Sequence, residues 1–349
     1  MTAQTLQDDI AQCRSLIRTG SLSFHAASRL LPVSVRDPAL VLYAFCRLAD
    51  DAVDEVEGGA SAKARAVLSL GERLDRAYSG RPKDLPVERA FADLIARHDL
   101  PRALPEALLE GLAWDAQNRR PETLSDVLSY SARVASSVGA MMCVLMGVRD
   151  PYRLARACDL GLAMQLTNIA RDIGDDARAG RLYLPADWLE EMGIDPAALL
   201  SQQHFFPALS VLVRRLLATA DHYYQRSEPG IMALPLTCRP GIFAARHIYA
   251  AIGNDLARRK FDSLSGRART TKGQKLALLA LSGLRSAFSI ATPTPATIHA
   301  GAAPECVFLV QAATKQSSRE SRNDRLIGLL ADLRARDLSE RHARGRLET

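Results

Sequence analysis

Two stretches of the chain carry acids at helical spacing among apolar neighbours. The first runs Tyr43-Ala44-Phe45-Cys46-Arg47-Leu48-Ala49-Asp50-Asp51-Ala52-Val53-Asp54; the second runs Gln165-Leu166-Thr167-Asn168-Ile169-Ala170-Arg171-Asp172-Ile173-Gly174-Asp175-Asp176. On a helix, side chains four apart are neighbours at about 5 to 6 Å, so Asp50 meets Asp54 and Asp172 meets Asp176. Like charges at this spacing repel, and apolar surroundings raise the cost. A divalent cation removes the repulsion, and Mg²⁺ is typically held by one or two carboxylates together with substrate phosphate oxygens. Arg47 lies on the first stretch and Gln165, Asn168 and Arg171 on the second, and guanidinium groups grip phosphate oxygens bidentately. The chemistry expected is that of a metal-dependent diphosphate site. A solvated helix end would account for either acid pair alone; two pairs in the same context favour the site. The second stretch leads into Gly180-Arg181-Leu182-Tyr183-Leu184-Pro185, a flexible turn from which Arg181 and Tyr183 can close over the same place.

The elements that must position these residues read as helices. Apolar residues recur at helical spacing almost throughout, and no alternating β-branched run bounded by turn signals occurs. The chain is therefore expected to be all-α. Breaks fall at Leu31-Pro32, Gly58-Gly59, Ser79 to Pro82, Arg119 to Pro121, Gly147 to Pro151, Leu184-Pro185, Asp195-Pro196, Glu228-Pro229-Gly230 and Arg239 to Gly241. They leave segments of ordinary helix length. At 349 residues, with 48% apolar and 24% charged residues, the chain suits one large core and is not disordered. After Thr292-Pro293-Thr294-Pro295 the composition changes, so the expected division is a domain over 1–290 and an extension over 291–349. Within the extension, Leu326, Ile327, Leu329, Leu330 and Leu333 suit an amphipathic helix, with a solvated tail the alternative.

Several classes lose their sequence support. No GxGxxG, GxxxxGK, HExxH or GxSxG pattern is present, and the seven histidines show no ligand spacing. Six cysteines lie scattered in apolar contexts with no CxxC pair, as expected of buried reduced thiols. The net charge of +6 comes from dispersed residues, without the basic stripe that nucleic-acid binding needs. The longest uninterrupted apolar stretch, Ala140 to Val148, is too short to cross a bilayer, and the N-terminus lacks a signal-peptide pattern. A cytoplasmic protein without an anchor helix is expected. Trp114, Trp188 and, on base rates, Tyr130 and Tyr249 read as packing residues.

In this company the sequence resembles the squalene and phytoene synthases, which join two prenyl diphosphates head to head. The resemblance rests on a YxxCRxxDDxxD tract (Tyr43 to Asp54), QLTNIxRDxxxD followed by GRxYLP (Gln165 to Asp176 and Gly180 to Pro185), YxxxVAxxVG (Tyr130 to Gly139) and SxSF (Ser21 to Phe24). It runs in order from about residue 10 to about 285. Ala132-Arg133 and Arg267 to Lys272 look closest to bacterial phytoene synthases.

The resemblance implies a single-domain isoprenoid-synthase helical bundle around a central cavity. Asp50, Asp54, Asn168, Asp172 and Asp176 would hold Mg²⁺, with Mn²⁺ a substitute. Ser21, Arg47, Gln165, Asn168, Arg171, Arg181 and Tyr183 would bind diphosphate; Tyr130, Tyr249 and Arg171 would be catalytic, the two tyrosines near the reacting carbons. Phe24 and Ser28, four apart, would share a face beside the tail cavity and limit chain length, unless Ser28 merely faces solvent. The expected activity is condensation of two geranylgeranyl diphosphates to phytoene without NADPH. Farnesyl diphosphate as substrate, giving squalene or dehydrosqualene, is the alternative, and a non-catalytic assembly protein a more distant one. Expected partners are a transient peripheral contact with the inner face of the membrane, through the tail after 316, and downstream carotenoid enzymes; no nucleic acid is expected.

Overall fold

A computed structural model describes residues 3–20, 22–54, 56, 59–201 and 206–314. Among them there are only helices, turns and loops, as the periodicity requires. In chain order the α-helices are α1 (Ala3–Gly20), α2 (Leu22–Ser28), α3 (Val33–Asp54), α4 (Gly59–Tyr78), α5 (Pro86–His98), α6 (Ala103–Ala116), α7 (Leu124–Ser131), α8 (Ser137–Leu145), α9 (Pro151–Arg178), α10 (Ala186–Glu191), α11 (Pro196–Ser201), α12 (Pro207–Met232), α13 (Arg239–Arg258), α14 (Lys272–Ala291) and α15 (Val307–Thr314).

Helix α9 is the centre of the bundle and carries the second acidic stretch. Pro151 stands at its first turn, where no amide hydrogen is needed, and the Asp150 side chain accepts from Arg153 N at 2.9 Å. Nearly its whole circumference is covered, by α8, α12, α13 and α15 among others. One close crossing is at Gly161, where an added Cβ would lie 2.5 Å from Ser136 Cα and 2.7 Å from Ser136 N. Gly161→Ala is expected to push α9 off its neighbour, at a cost of about 1 to 3 kcal/mol. Urea unfolding would show this as a lowered midpoint, and an unchanged midpoint would mean that the crossing relaxes freely.

Between α7 and α8, Ala132–Ser136 form a turn of π-helix, so that Leu124–Leu145 run as one continuous helix. Such bulges occur often at functional sites, and this one falls inside the YxxxVAxxVG tract, where no sequence signal marks it. This helix is also long and apolar enough to cross a membrane, which counting uninterrupted apolar runs did not reveal. Its most apolar window is 61% buried, so packing inside the bundle accounts for its composition.

Two sequence expectations need correction. Glu228-Pro229-Gly230 does not end a helix, because α12 continues to Met232. The glycine serves a close approach instead, since a Cβ on Gly230 would lie 2.2 Å from Arg156 Cβ. The compact unit also does not stop at 290 but extends through Thr314. Short 3₁₀ turns at Ala296–His299 and Pro304–Cys306 lead into α15, which packs on α9. Arg156, ion-paired to the fully buried Asp159 at 2.8 Å, donates to Thr297 O at 2.8 Å and Gly301 O at 3.1 Å, tying this segment down. The second unit, Lys315–Thr349, and with it the amphipathic tail pattern, lies outside the described residues.

Candidate active site

Helices α3 and α9 bring the two acidic stretches to one polar pocket of about 340 Å³. Asp50, Asp54, Asp172 and Asp176 all line it, with Asn168, Gln165, Arg171, Arg181, Tyr130 and Tyr183. Arg47 lines the adjoining recess beside Asp50 and donates from Nη2 to Asp51 at 2.6 Å. Arg181 reaches from the turn after α9 to Asp54 at 2.7 Å, linking the two stretches directly. Arg171 donates to Asp172 at 2.7 and 2.5 Å. Ser21 lies outside the described residues.

Four further residues complete the pocket: Asp115, Ile169, Asp175 and Arg267. Asp115, near the end of α6, accepts from the Tyr130 hydroxyl at 2.9 Å and from Tyr183 at 2.6 Å, and the two rings stack with centroids 4.9 Å apart. Its only trace in the sequence is a third acid, after Glu106 and Glu110, in a largely apolar helix. Arg267, from the loop between α13 and α14, donates to both Asp172 oxygens at 2.8 and 3.0 Å. Its basic run contributed to the family resemblance, but nothing in the spacing assigned it a role.

The pocket's carboxylates outnumber its guanidinium groups, and their protonation shows the strain. Burial, then the charge of Asp54, pushes Asp50 up to about 6. Burial, then Asp172, pushes Asp176 up to about 7 despite Arg181. Although burial alone would raise it, Asp172 is held below the usual carboxylate range by Arg171 and Arg267. Asn168 Oδ1 is buried with no hydrogen-bond donor. Mutually repelling carboxylates beside an unsatisfied amide oxygen are the hard donor set that suits Mg²⁺. Among the described residues no three acids, histidines or cysteines converge at metal-binding distance; Asp54 and Asp172 face arginines instead.

Asp176 allows a stability test with a definite sign. Its folded pKa of about 7 lies above the unfolded value of 3.8, so between these values the folded state binds the extra proton and loses stability as pH rises. Asp176→Asn is expected to stabilise the metal-free protein at pH 8 by roughly 1 to 2 kcal/mol after solvent screening, and to give no gain below pH 3.8. Thermal unfolding in chelator across this range would check it; equal shifts at both ends would remove the repulsion argument.

Below the polar pocket lies an apolar cavity of about 300 Å³, and Gln165 and Asn168 line both. Leu42, Val138, Met142, Met146, Leu160, Met164, Ile231 and Leu234 line its walls. Phe24 stacks on Tyr43 with centroids 5.0 Å apart, and both face the cavity. Ser28 also lines it, is 3% exposed and donates to His25 O at 3.0 Å, so it does not face solvent. Tyr249 lines this cavity rather than the polar pocket, whereas Tyr130 lines the pocket. Arg133 is turned away, stacking over Trp114 and pairing with Glu110 at 2.9 Å.

A charged mouth opening into an apolar chamber suits an amphiphile with a diphosphate head and a hydrocarbon tail. Comparison with known proteins agrees. The family model described as squalene/phytoene synthase matches residues 17–274. The chain is 58% identical over 335 residues to the phytoene synthase of Cereibacter sphaeroides, covering 94% of each. It is 43% identical over 285 residues to the 15-cis-phytoene synthase of a Paracoccus species, covering 80% of this chain and 92% of the relative. Among solved structures, a dehydrosqualene synthase in complex with ligand superposes with TM-score 0.73 at 28% identity, covering 81% of this chain and 98% of that one.

Proposed function

The chain belongs to the squalene/phytoene synthase family, and from that membership we propose that it is a phytoene synthase, a prenyltransferase that condenses two geranylgeranyl diphosphates head to head in carotenoid biosynthesis. The observation that carries the reading is the continuity of the acid- and arginine-lined pocket with the apolar cavity at Gln165 and Asn168. Asp50, Asp54, Asn168, Asp172 and Asp176 would hold Mg²⁺, or Mn²⁺ in its place. Bound there, the metal would neutralise diphosphate charge and so assist departure of the leaving group.

The protein's own groups do the rest. Arg171 and Arg181 point into the mouth and add charge neutralisation where negative charge develops on the departing diphosphate. Each is paired with a carboxylate in the free protein, so an incoming diphosphate competes with Asp172 and Asp54 for them. Arg47, Gln165 and Tyr183 line the same mouth, and Ser21 is assigned there from the family motif. Tyr130, anchored through Asp115, lines the polar pocket, and Tyr249 lines the apolar cavity. The apolar walls keep water from the allylic carbocation and bury the tails at about 0.8 kcal/mol per methylene. Attack by the second prenyl double bond on the allylic carbocation, with loss of one proton as the three-membered ring closes, gives a cyclopropylcarbinyl diphosphate. A second ionisation, rearrangement and loss of one proton give the C40 hydrocarbon, with two diphosphates released and no reductant consumed. So insoluble a product calls for peripheral contact with a membrane and transfer to downstream carotenoid enzymes.

The 28% identical dehydrosqualene synthase keeps a C15 substrate in view as a second reading. Supplying farnesyl and geranylgeranyl diphosphate together with Mg²⁺ separates the two. C40 hydrocarbon is expected to dominate; C30 dominating would transfer the assignment to the second reading.

A further inference from the structure

Helix α14 has its polarity reversed. A surface helix normally turns apolar residues inward and polar ones to water. Here the buried side chains are serines, Ser282, Ser286 and Ser289. Ser282 Oγ lies 2.9 Å from His247 Nδ1, and Ser289 Oγ accepts from Arg239 Nη1 at 2.9 Å, so polar bonds fasten the inner face to α13. The outer face is apolar: Leu276 is 71% exposed, Leu284 61%, Phe288 68% and Ile290 67%, with Leu281 beside them. At 3.6 residues per turn these five fall within one half of the circumference, with Ala277, Ala280, Ala287 and Ala291 between them. Neighbouring exposed apolar side chains on this scale mark an interaction surface.

The charges around the stripe say what fits it. Between Asp262 and Glu305 the sequence has no acid, whereas it has Arg267, Arg269, Lys272, Lys275 and Arg285. Lys272 and Arg285 fall on the two borders of the apolar half. A second copy docked on this face would set basic borders against basic borders, and the one acid paired there, Glu228, at 3.6 Å from Arg285, is already held by Arg246 at 2.6 Å. The chain's own segment 316–349, with eight Arg against six acids, is no better matched. An anionic lipid surface satisfies both features. It accepts the apolar face into the headgroup–acyl boundary, and each basic residue near the surface adds attraction. The long basic side chains can lay their stems on the apolar face and keep their charges at the phosphates.

We propose that the outer face of α14 docks the protein on an anionic bilayer, lying in the interface rather than spanning it. This places the membrane contact on the folded bundle rather than on the tail after 316, and it does not depend on which prenyl diphosphate the site takes.

The test is flotation of the full-length protein with vesicles of phosphatidylcholine alone or mixed with phosphatidylglycerol, without substrate. Wild type is expected to float with the mixed vesicles, less so as salt is raised. Leu284→Ser/Phe288→Ser, which removes two mostly exposed side chains, should keep its unfolding temperature and bind about tenfold or more weakly. Lys272→Gln/Arg285→Gln should lose the preference for phosphatidylglycerol. The proposal is overturned if the serine variant floats as wild type does, or if wild type binds neither vesicle. It is equally overturned if light scattering shows that the serine variant splits a dimer, or if that variant unfolds markedly earlier, since the face would then be covered by another copy or by the tail.

Discussion

Asp172→Ala is expected to leave a folded helical protein with turnover reduced about 10³-fold or more. Loss of a metal's charge stabilisation in the transition state is worth several kcal/mol, and each 1.36 kcal/mol is about tenfold in rate. Asp172 is the most heavily invested acid of the site, receiving Arg171 at 2.7 and 2.5 Å and Arg267 at 2.8 and 3.0 Å. Its loss therefore has two readings, a lost metal ligand or a freed pair of arginines, and the experiment must separate them. Chelation does so: wild type treated with chelator should fall to the level of the variant and recover when Mg²⁺ is restored, while the variant should respond to neither. Asp54→Ala, which releases only Arg181, should show the same pattern. Near-normal turnover in either variant, with circular dichroism unchanged, would remove the metal assignment.

Ser28→Phe is expected to lower the use of geranylgeranyl diphosphate by about tenfold to a hundredfold and that of farnesyl diphosphate by less. Ser28 is buried against the cavity beside Phe24, where the chamber wall is formed by α2 and its neighbours. A phenyl ring placed there occupies space that the last isoprene unit of a C20 tail needs. Overpacking of this kind costs about 1 to 3 kcal/mol, which sets the range in rate. A competition assay with both substrates in one tube reads the result as the ratio of C40 to C30 product. An unchanged ratio would mean that this wall does not limit chain length.

The helical class and most helix ends were legible because Pro, Gly and apolar spacing act locally. The paired acids were legible for the same reason: Asp50 with Asp54, and Asp172 with Asp176, are each neighbours on one helix. What could not be read depends on contacts distant in sequence. Asp115 becomes part of the site only when α6 meets the turn carrying Tyr183, 68 residues away. Arg267 does so only when its loop reaches back 95 residues to Asp172. Gly230 looked like a helix end because the sequence does not show that Arg156 crosses there. The composition change after Ala291 looked like a boundary because nothing local reveals that Arg156 ties down Thr297 and Gly301. The reversed polarity of α14 was hidden for a similar reason, since periodicity reports an apolar face without saying which way it turns.

As a phytoene synthase, the protein is expected to join two C20 diphosphates at one site and to discharge the final cation by losing a proton. Mass analysis of the hydrocarbon made by the purified protein from geranylgeranyl diphosphate and Mg²⁺, with and without NADPH, tests it most directly. The same C40 hydrocarbon is expected in both tubes, with two diphosphates released per molecule. Formation of hydrocarbon only with NADPH, two hydrogens heavier, or no hydrocarbon in either tube, would contradict it.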